Sequence, residues 1–175
     1  MMEVRLRDAR AEDQEAIREV TLASYQQYAE TLGPLWALYR ENIVSTLASV
    51  APAEQIVAEG EGAIVGAVLL YPGRGVEPGG AGAGPVATKW PEVRLLAVRP
   101  AARGRGIAEA LMRECVRRAR AAGAAALTLH TTDMMEAAVR LYKRMGFTRD
   151  PGLDWSPAPT LTVKGFRLSL RGVTT

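Results

Sequence analysis

Arg103, Gly104, Arg105 and Gly106 stand directly ahead of an apolar-periodic run that opens at Ile107, in the stretch VRPAARGRGIAEALM. A strand, a glycine-containing loop and a helix start expose backbone N–H groups at the positive end of a helix dipole. Glycine lets an anion come close to that backbone, and the flanking arginines add charge. The chemistry is anion binding, and a phosphate is its simplest object. A GxGxxG dinucleotide fingerprint would need glycine where Glu109 stands, and a carboxylate in the first helical turn would face or crowd a pyrophosphate. A nicotinamide enzyme is therefore disfavoured.

Other reactive side chains are few. The chain has 1 histidine, His130, which excludes His-rich zinc motifs such as HExxH. It has 1 cysteine, Cys115, so neither an intramolecular disulfide nor a cysteine metal cluster can form. Cys115 falls in an apolar stripe and reads as a small core residue, not a reactive thiol. No metal is expected. His130 lies near the C-terminal end of its strand, where such sheets place ligands. It could act as a base, but a hydrogen-bonded structural histidine is the favoured reading.

These residues need elements to position them. Residues 3–7 alternate like a half-buried strand. Asp13 can cap a helix carrying Ile17, Val20, Ser24, Tyr28 and Leu32, which Gly33-Pro34 breaks. A second helix follows, with Leu35, Leu38, Tyr39, Thr46, Leu47 and Val50 on one face. Residues 55–59 and 63–71 form a hairpin about Glu61-Gly62, and the Gly- and Pro-rich stretch 72–85 reads as a hairpin loop. A strand at 92–98 leads through the Arg/Gly loop into a helix over about 106–122, closed by Gly123, and a strand at 126–131. Asp133, with Glu136 after it, starts another helix in capping-box fashion that ends at Met145-Gly146. Phe147 onward and 161–170 supply the last strands. The order is β-α-α-β-β-β-α-β-α-β-β, with a right-handed parallel crossover at its centre.

The chain of 175 residues suits one α/β domain, 1–175, with a mixed central sheet of about seven strands and helices on both faces. A formal charge of +3, with scattered basic residues, gives no case for nucleic acid. The N-terminus is charged and no stretch approaches the ~18 apolar residues of a membrane span, so a cytoplasmic protein without membrane partners is expected.

VRPAARGRGIAEALM resembles the acetyl-CoA loop of the GNAT superfamily of N-acetyltransferases, Gln/Arg-x-x-Gly-x-Gly/Ala, met here by Arg103, Gly106 and Ala108. AAVRLYKRMGF, residues 137–147, resembles the family's second motif, a helix ending Leu-Tyr followed by Gly-Phe. Their spacing and the element order, including Val65-Gly66 of the third strand, are also similar. The resemblance implies that the anion is the pyrophosphate of coenzyme A. Its donors would be the amides of Arg105, Gly106, Ile107, Ala108 and Glu109, with Arg103 and Gly104 completing the turn. Leu96, Ala97 and Val98 would hold the pantetheine arm like another strand, and a splay between that strand and LTLHT would admit the thioester.

The resemblance also implies roles in catalysis. Tyr142 would protonate the departing thiolate, or else be a core tyrosine. An N–H of Ala97 or Val98 would polarise the carbonyl. Glu92 would act as base through water, or else be a strand-end carboxylate. The family often carries Asn where Met135 stands, so that contact to the coenzyme is lost or replaced. Tyr28, Trp36 and Trp155, with Tyr25 and Tyr39, are candidates for the acceptor wall or for core packing. Glu30, Glu41 and Asp154 could hold a cationic amine. The expected function is acetyl transfer from acetyl-CoA to a primary amine of a small molecule or peptide, with homodimerisation left open. The alternatives are a non-catalytic acyl-CoA-sensing domain or an acyltransferase using another acyl-CoA.

Overall fold

The computed structural model describes residues 2–73 and 89–172. The expected loop at 72–85 lies outside the described residues from position 74 onward. The chain forms two compact units, Met1–Leu70 with Leu95–Glu114, and Tyr71–Arg94 with Cys115–Thr175.

The first unit carries β1 (Val4–Asp8), α1 (Gln14–Tyr25), α2 (Ala29–Leu32), α3 (Leu35–Ala48), β2 (Glu54–Gly60) and nearly all of β3 (Ala63–Tyr71). It also holds the C-terminal part of β4 (Glu92–Val98) and the first turns of α4 (Ile107–Ala121). Strands β1 and β2 pair antiparallel, as do β2 and β3. Ile17, Val20, Ile43, Ile56, Val68, Leu69 and Leu111 are fully buried here, and each such side chain contributes about 1.5–3 kcal/mol by leaving water. Gly66 on β3 has a spatial reason. A Cβ there would lie 3.0 Å from Ile107 Cγ2 and 3.1 Å from both Leu111 Cδ1 and the Ala97 carbonyl oxygen. The missing side chain is what lets the start of α4 sit close to this strand.

The first helical segment is not one uninterrupted helix. A 3₁₀ turn at Gln26–Tyr28 separates α1 from α2, and Gly33 closes α2 with φ 54°. Asp13 precedes α1 but does not cap it through its side chain. Its carboxylate instead takes Arg7 Nη1 at 2.7 Å and the Arg10 N–H at 2.7 Å. Of the expected face of α3, Leu35, Tyr39, Thr46 and Leu47 are half-buried, and one residue departs. Leu38 is 61% exposed, and Ile43 is the buried residue of the helix. LWALYRENIVSTLA is apolar around much of its circumference, so periodicity does not mark the edge of the face, where Leu38 lies.

The second unit carries β5 (Ala126–Thr131), α5 (Glu136–Arg144), β6 (Thr148–Arg149), β7 (Trp155–Ala158) and β8 (Leu161–Ser169). The start of β4 pairs parallel with β5, Glu92 opposite Thr128 and Val93 opposite Leu129. β8 then pairs antiparallel with β5, β6 and β7. The sheet is thus mixed, as expected, with β7 as an added short strand. Cys115, Leu127, Leu129, Phe147 and Phe166 are buried, so Cys115 is a core residue. The anticipated capping box fails. Met135 occupies the N-cap of α5, and Asp133 forms an ion pair with Lys164 Nζ at 2.7 Å. A cross-strand cation wins that carboxylate from the helix start. Among the described residues, no helix is long and apolar enough to cross a membrane.

Candidate functional site

In the first unit, β4 ends at Val98 and a 3₁₀ turn at Pro100–Ala102 delivers the chain to Arg103. Gly104 and Gly106 have φ 76° and 75°, a region closed to most side chains. A Cβ at either would meet nothing within 4 Å, so glycine serves conformation here and leaves the backbone uncovered. The first bond of α4 runs from the Ala110 N–H to the Gly106 carbonyl at 3.0 Å. The amides of Ile107, Ala108 and Glu109 precede it and have no carbonyl a turn back. They meet the positive end of the helix dipole there.

The side chains around this turn leave it accessible. Arg105 is exposed. Glu109 bends along the helix to Arg113, 2.6 Å away, so its carboxylate is held by a cation. Arg103 donates from Nη2 to the Ser24 carbonyl at 3.1 Å, which ties the loop to the end of α1. The loop therefore fits a phosphate-bearing ligand by its donors, its charge and its open backbone.

Leu96, Ala97 and Val98 lie just upstream on β4. Leu95, before them, has φ 52°, a local break in extended geometry for a residue with a Cβ. The Val98 N–H points to Ser24 Oγ at 3.4 Å, a bond at the long limit. Ser24 was not anticipated for this place.

Tyr28 and Trp36 belong to an aromatic cluster in the same unit. Tyr25 lies 6.0 Å from Tyr28 and 6.1 Å from Tyr39, and Trp36 stacks on Tyr39 at 6.4 Å. Burial pushes the Tyr39 phenol up to about 12, with Tyr28 adding to it. Burial also raises the Tyr28 phenol, against the pull of nearby Arg103.

In the second unit the structure brings Glu92 and His130 together and adds Arg94. Glu92 is 6% exposed at its side chain. It takes Arg94 Nε at 2.9 Å and Nη2 at 3.2 Å, and His130 Nδ1 stands 3.2 Å from Oε1. Burial alone would push the Glu92 carboxyl up. The hydrogen bonds from His130 and Arg94, with their charge, outweigh burial and hold it below the usual carboxylate range. Arg94 Cζ lies 4.8 Å from the centre of the Tyr71 ring. Arg94 and Tyr71 were missed from the sequence. The i, i+2 spacing that puts Arg94 on the face of Glu92 was the available signal.

His130 Nε2 lies 2.8 Å from the carbonyl oxygen of Leu153. Gly165, in register with His130, makes room for that approach, since a Cβ there would collide with Leu153 Cβ. Trp155 follows on β7, and its indole Nε1 is buried without a hydrogen bond among the described residues. Asp154 is already taken, by Arg149 at 2.7 Å and by the Gly165 N–H at 2.8 Å. Glu30 and Glu41 are exposed in the first unit. Tyr142 is buried on α5, with its ring 5.9 Å from that of Phe147. Met135 is buried at the start of the same helix. Among the described residues, no group of His, Cys, Asp and Glu side chains could hold a metal ion.

A mixed sheet with a backbone anion loop opening its central crossover helix defines a class, and comparison with known proteins names it. The model of the acetyltransferase (GNAT) family matches residues 11–147, and the chain belongs to that family. A GNAT family acetyltransferase from Brucella melitensis, solved with acetyl-CoA, is similar at 25% identity over 97% of this chain and 90% of that one, with a TM-score of 0.62. The yncA protein of Salmonella typhimurium, solved with its cofactor acetyl-CoA, shares 20% identity over 98% of this chain and 96% of that one, at TM-score 0.64. The PaiA N-acetyltransferase of Thermoplasma acidophilum, in complex with coenzyme A, shares 15% over 94% and 98%, at 0.62. No curated protein matches the chain.

Proposed function

We propose that residues 1–175 act as one acetyl-CoA-dependent N-acetyltransferase domain, transferring acetyl to a primary amine of a small molecule or peptide. One observation carries the reading most. The Arg103–Glu109 turn, with its left-handed glycines and uncovered helix-start amides, suits a pyrophosphate. The Brucella relative with bound acetyl-CoA supports it.

Acetyl-CoA supplies the acetyl group as a thioester. Arg105, Gly106, Ile107, Ala108 and Glu109 present main-chain N–H groups to the pyrophosphate, and Arg103 and Gly104 hold the turn. Leu96, Ala97 and Val98 align the pantetheine arm. An N–H of Ala97 or Val98 donates to the thioester oxygen as negative charge builds there. A neutral amine attacks the carbonyl carbon, the C–S bond breaks, and the sulfur leaves with the electron pair. Tyr142 gives its phenolic proton to that sulfur, since a phenol with pKa ~10 is protonated at neutral pH. Glu92 takes the amine's proton through water. Tyr28 and Trp36 of the first unit, and Trp155 of the second, serve acceptor recognition.

The test is direct. Millimolar acetyl-CoA should raise the melting temperature, and thiol release on a panel of primary amines should identify an acceptor. Absence of any shift with acetyl-CoA would refute the coenzyme assignment. A shift without turnover on any amine would favour an acyl-CoA-sensing domain.

A further inference from the structure

His130 is the chain's 1 histidine, and 7% of its side chain is exposed. Both ring nitrogens face oxygen atoms, the Leu153 carbonyl at 2.8 Å from Nε2 and Glu92 Oε1 at 3.2 Å from Nδ1. A carbonyl oxygen and an ionised carboxylate only accept hydrogen bonds. A neutral imidazole has one N–H. It could serve one of these acceptors and would have to turn a bare lone pair toward the other. In an enclosed site that opposition is costly. Both bonds form together when each ring nitrogen carries a proton.

The charged neighbours agree with this. On β4 stand Glu92 and Arg94, with the Tyr71 ring against Arg94. On the Leu153 side, Asp154 is occupied by Arg149 and the Gly165 N–H. At the end of β5, Lys164 is paired with Asp133. Glu92 is thus the carboxylate in ion-pair distance of the ring. Arg94 grips it through Nε and Nη2, which favours its ionised form.

We propose that His130 is a positioning residue, a doubly protonated clamp that ties the Glu92 carboxylate to the backbone of Leu153, two residues before Trp155. With both nitrogens donating, the ring has no lone pair to accept the amine's proton, so His130 is not the base. Its kinetic consequence rests on the acetyltransferase reading above, whereas the clamp itself does not.

Two measurements test it. With 15N-labelled histidine the ring spectrum at neutral pH comes from one residue. Two slowly exchanging ring N–H protons are expected. A single protonated nitrogen overturns the clamp, and it does so whether or not acetyl-CoA binds or any amine is acetylated. The second measurement compares His130→Ala, His130→Gln and His130→Asn with the parent on the amine found by the panel. Loss of the clamp should raise the acceptor KM about tenfold or more, the size of a lost charge-assisted hydrogen bond, and lower kcat by no more than about tenfold, because Arg94 still holds the Glu92 carboxylate. Gln or Asn, each keeping one donor, should recover part of it, and acetyl-CoA affinity should not change. A kcat loss of ~10²–10⁴ at constant KM would make His130 the base and overturn the proposal. Unchanged kinetics with a lowered melting temperature would reduce His130 to a packing group and overturn the proposal as well. Failure of the parent to bind acetyl-CoA would defeat the acetyltransferase reading and leave the ring spectrum to decide the clamp.

Discussion

The Arg103–Glu109 turn and the Glu92–Arg94–His130 cluster are built in opposite ways. The turn is continuous in sequence, mostly exposed, and made of backbone amides held open by Gly104 and Gly106. The cluster joins β4, β5 and the Leu153 carbonyl across separations of 38 and 23 residues, and its acceptor and ring are almost wholly enclosed. A backbone site is specified by local conformation and is tolerant of most side chains around it. A buried side-chain site depends on each partner, because removing one leaves the others desolvated without compensation. The two regions should therefore break differently.

The largest effect is expected at Tyr142. Tyr142→Phe keeps the ring and its contact with Phe147 but deletes the transferable proton. Turnover should fall ~10²–10⁴-fold with coenzyme binding unchanged. Steady-state kcat and acetyl-CoA titration check this, and near-normal turnover would remove Tyr142 from the mechanism.

Glu92→Gln comes next and tests the buried cluster through stability. It leaves Arg94 and His130 without their carboxylate, and breaking such a pair costs about 3–5 kcal/mol. The pH dependence has a definite sign. The Glu92 carboxyl is held below its usual range in the folded chain. Its contribution is present above the unfolded value and is lost as pH falls through the folded one. Denaturant unfolding should show a wide gap between parent and variant at neutral pH that narrows below about pH 4. A gap that stays constant with pH would show that Glu92 carries no ionisation-linked stability.

Gly106→Asp tests the exposed turn. It forces φ 75° on a residue with a Cβ and puts a carboxylate where a phosphate should sit. At coenzyme near 100 times its dissociation constant the parent should gain ~2.7 kcal/mol, and the variant should lose that gain while remaining folded without ligand. Melting curves with and without acetyl-CoA decide it. If the variant keeps the full ligand shift, the anion binds elsewhere.

The smallest effect is expected at Leu38, whose side chain is 61% exposed. Leu38→Lys should change stability by no more than ~0.5 kcal/mol. A loss of several times that would mean that Leu38 is covered in solution.

The local features are written in neighbouring residues. Short, largely apolar stretches on either side of the central helix marked β4 at 92–98 and β5 at 126–131. The apolar stripe through Ile107, Leu111 and Cys115 and the glycines before it fixed α4 and the anion turn, since left-handed φ and an uncovered helix start are written in neighbouring residues. Glu92 and His130 were visible singly, as unusual residues on strands.

Which side chains meet was settled by packing between distant segments. Asp133 satisfied a capping pattern, yet Lys164 from a distant strand claimed its carboxylate. Asp13 stood where a cap belongs, yet Arg7 and the Arg10 amide took it. Leu38 shared a plausible face with Leu35, Tyr39 and Leu47, yet packing left it at the exposed edge of that face with Ile43 at its centre. The bond from His130 to Leu153 exists because Gly165 lets a turn from another part of the chain come close. Hydrogen bonds and ion pairs of this kind depend on distances between strands far apart in sequence, and no short-range periodicity encodes them.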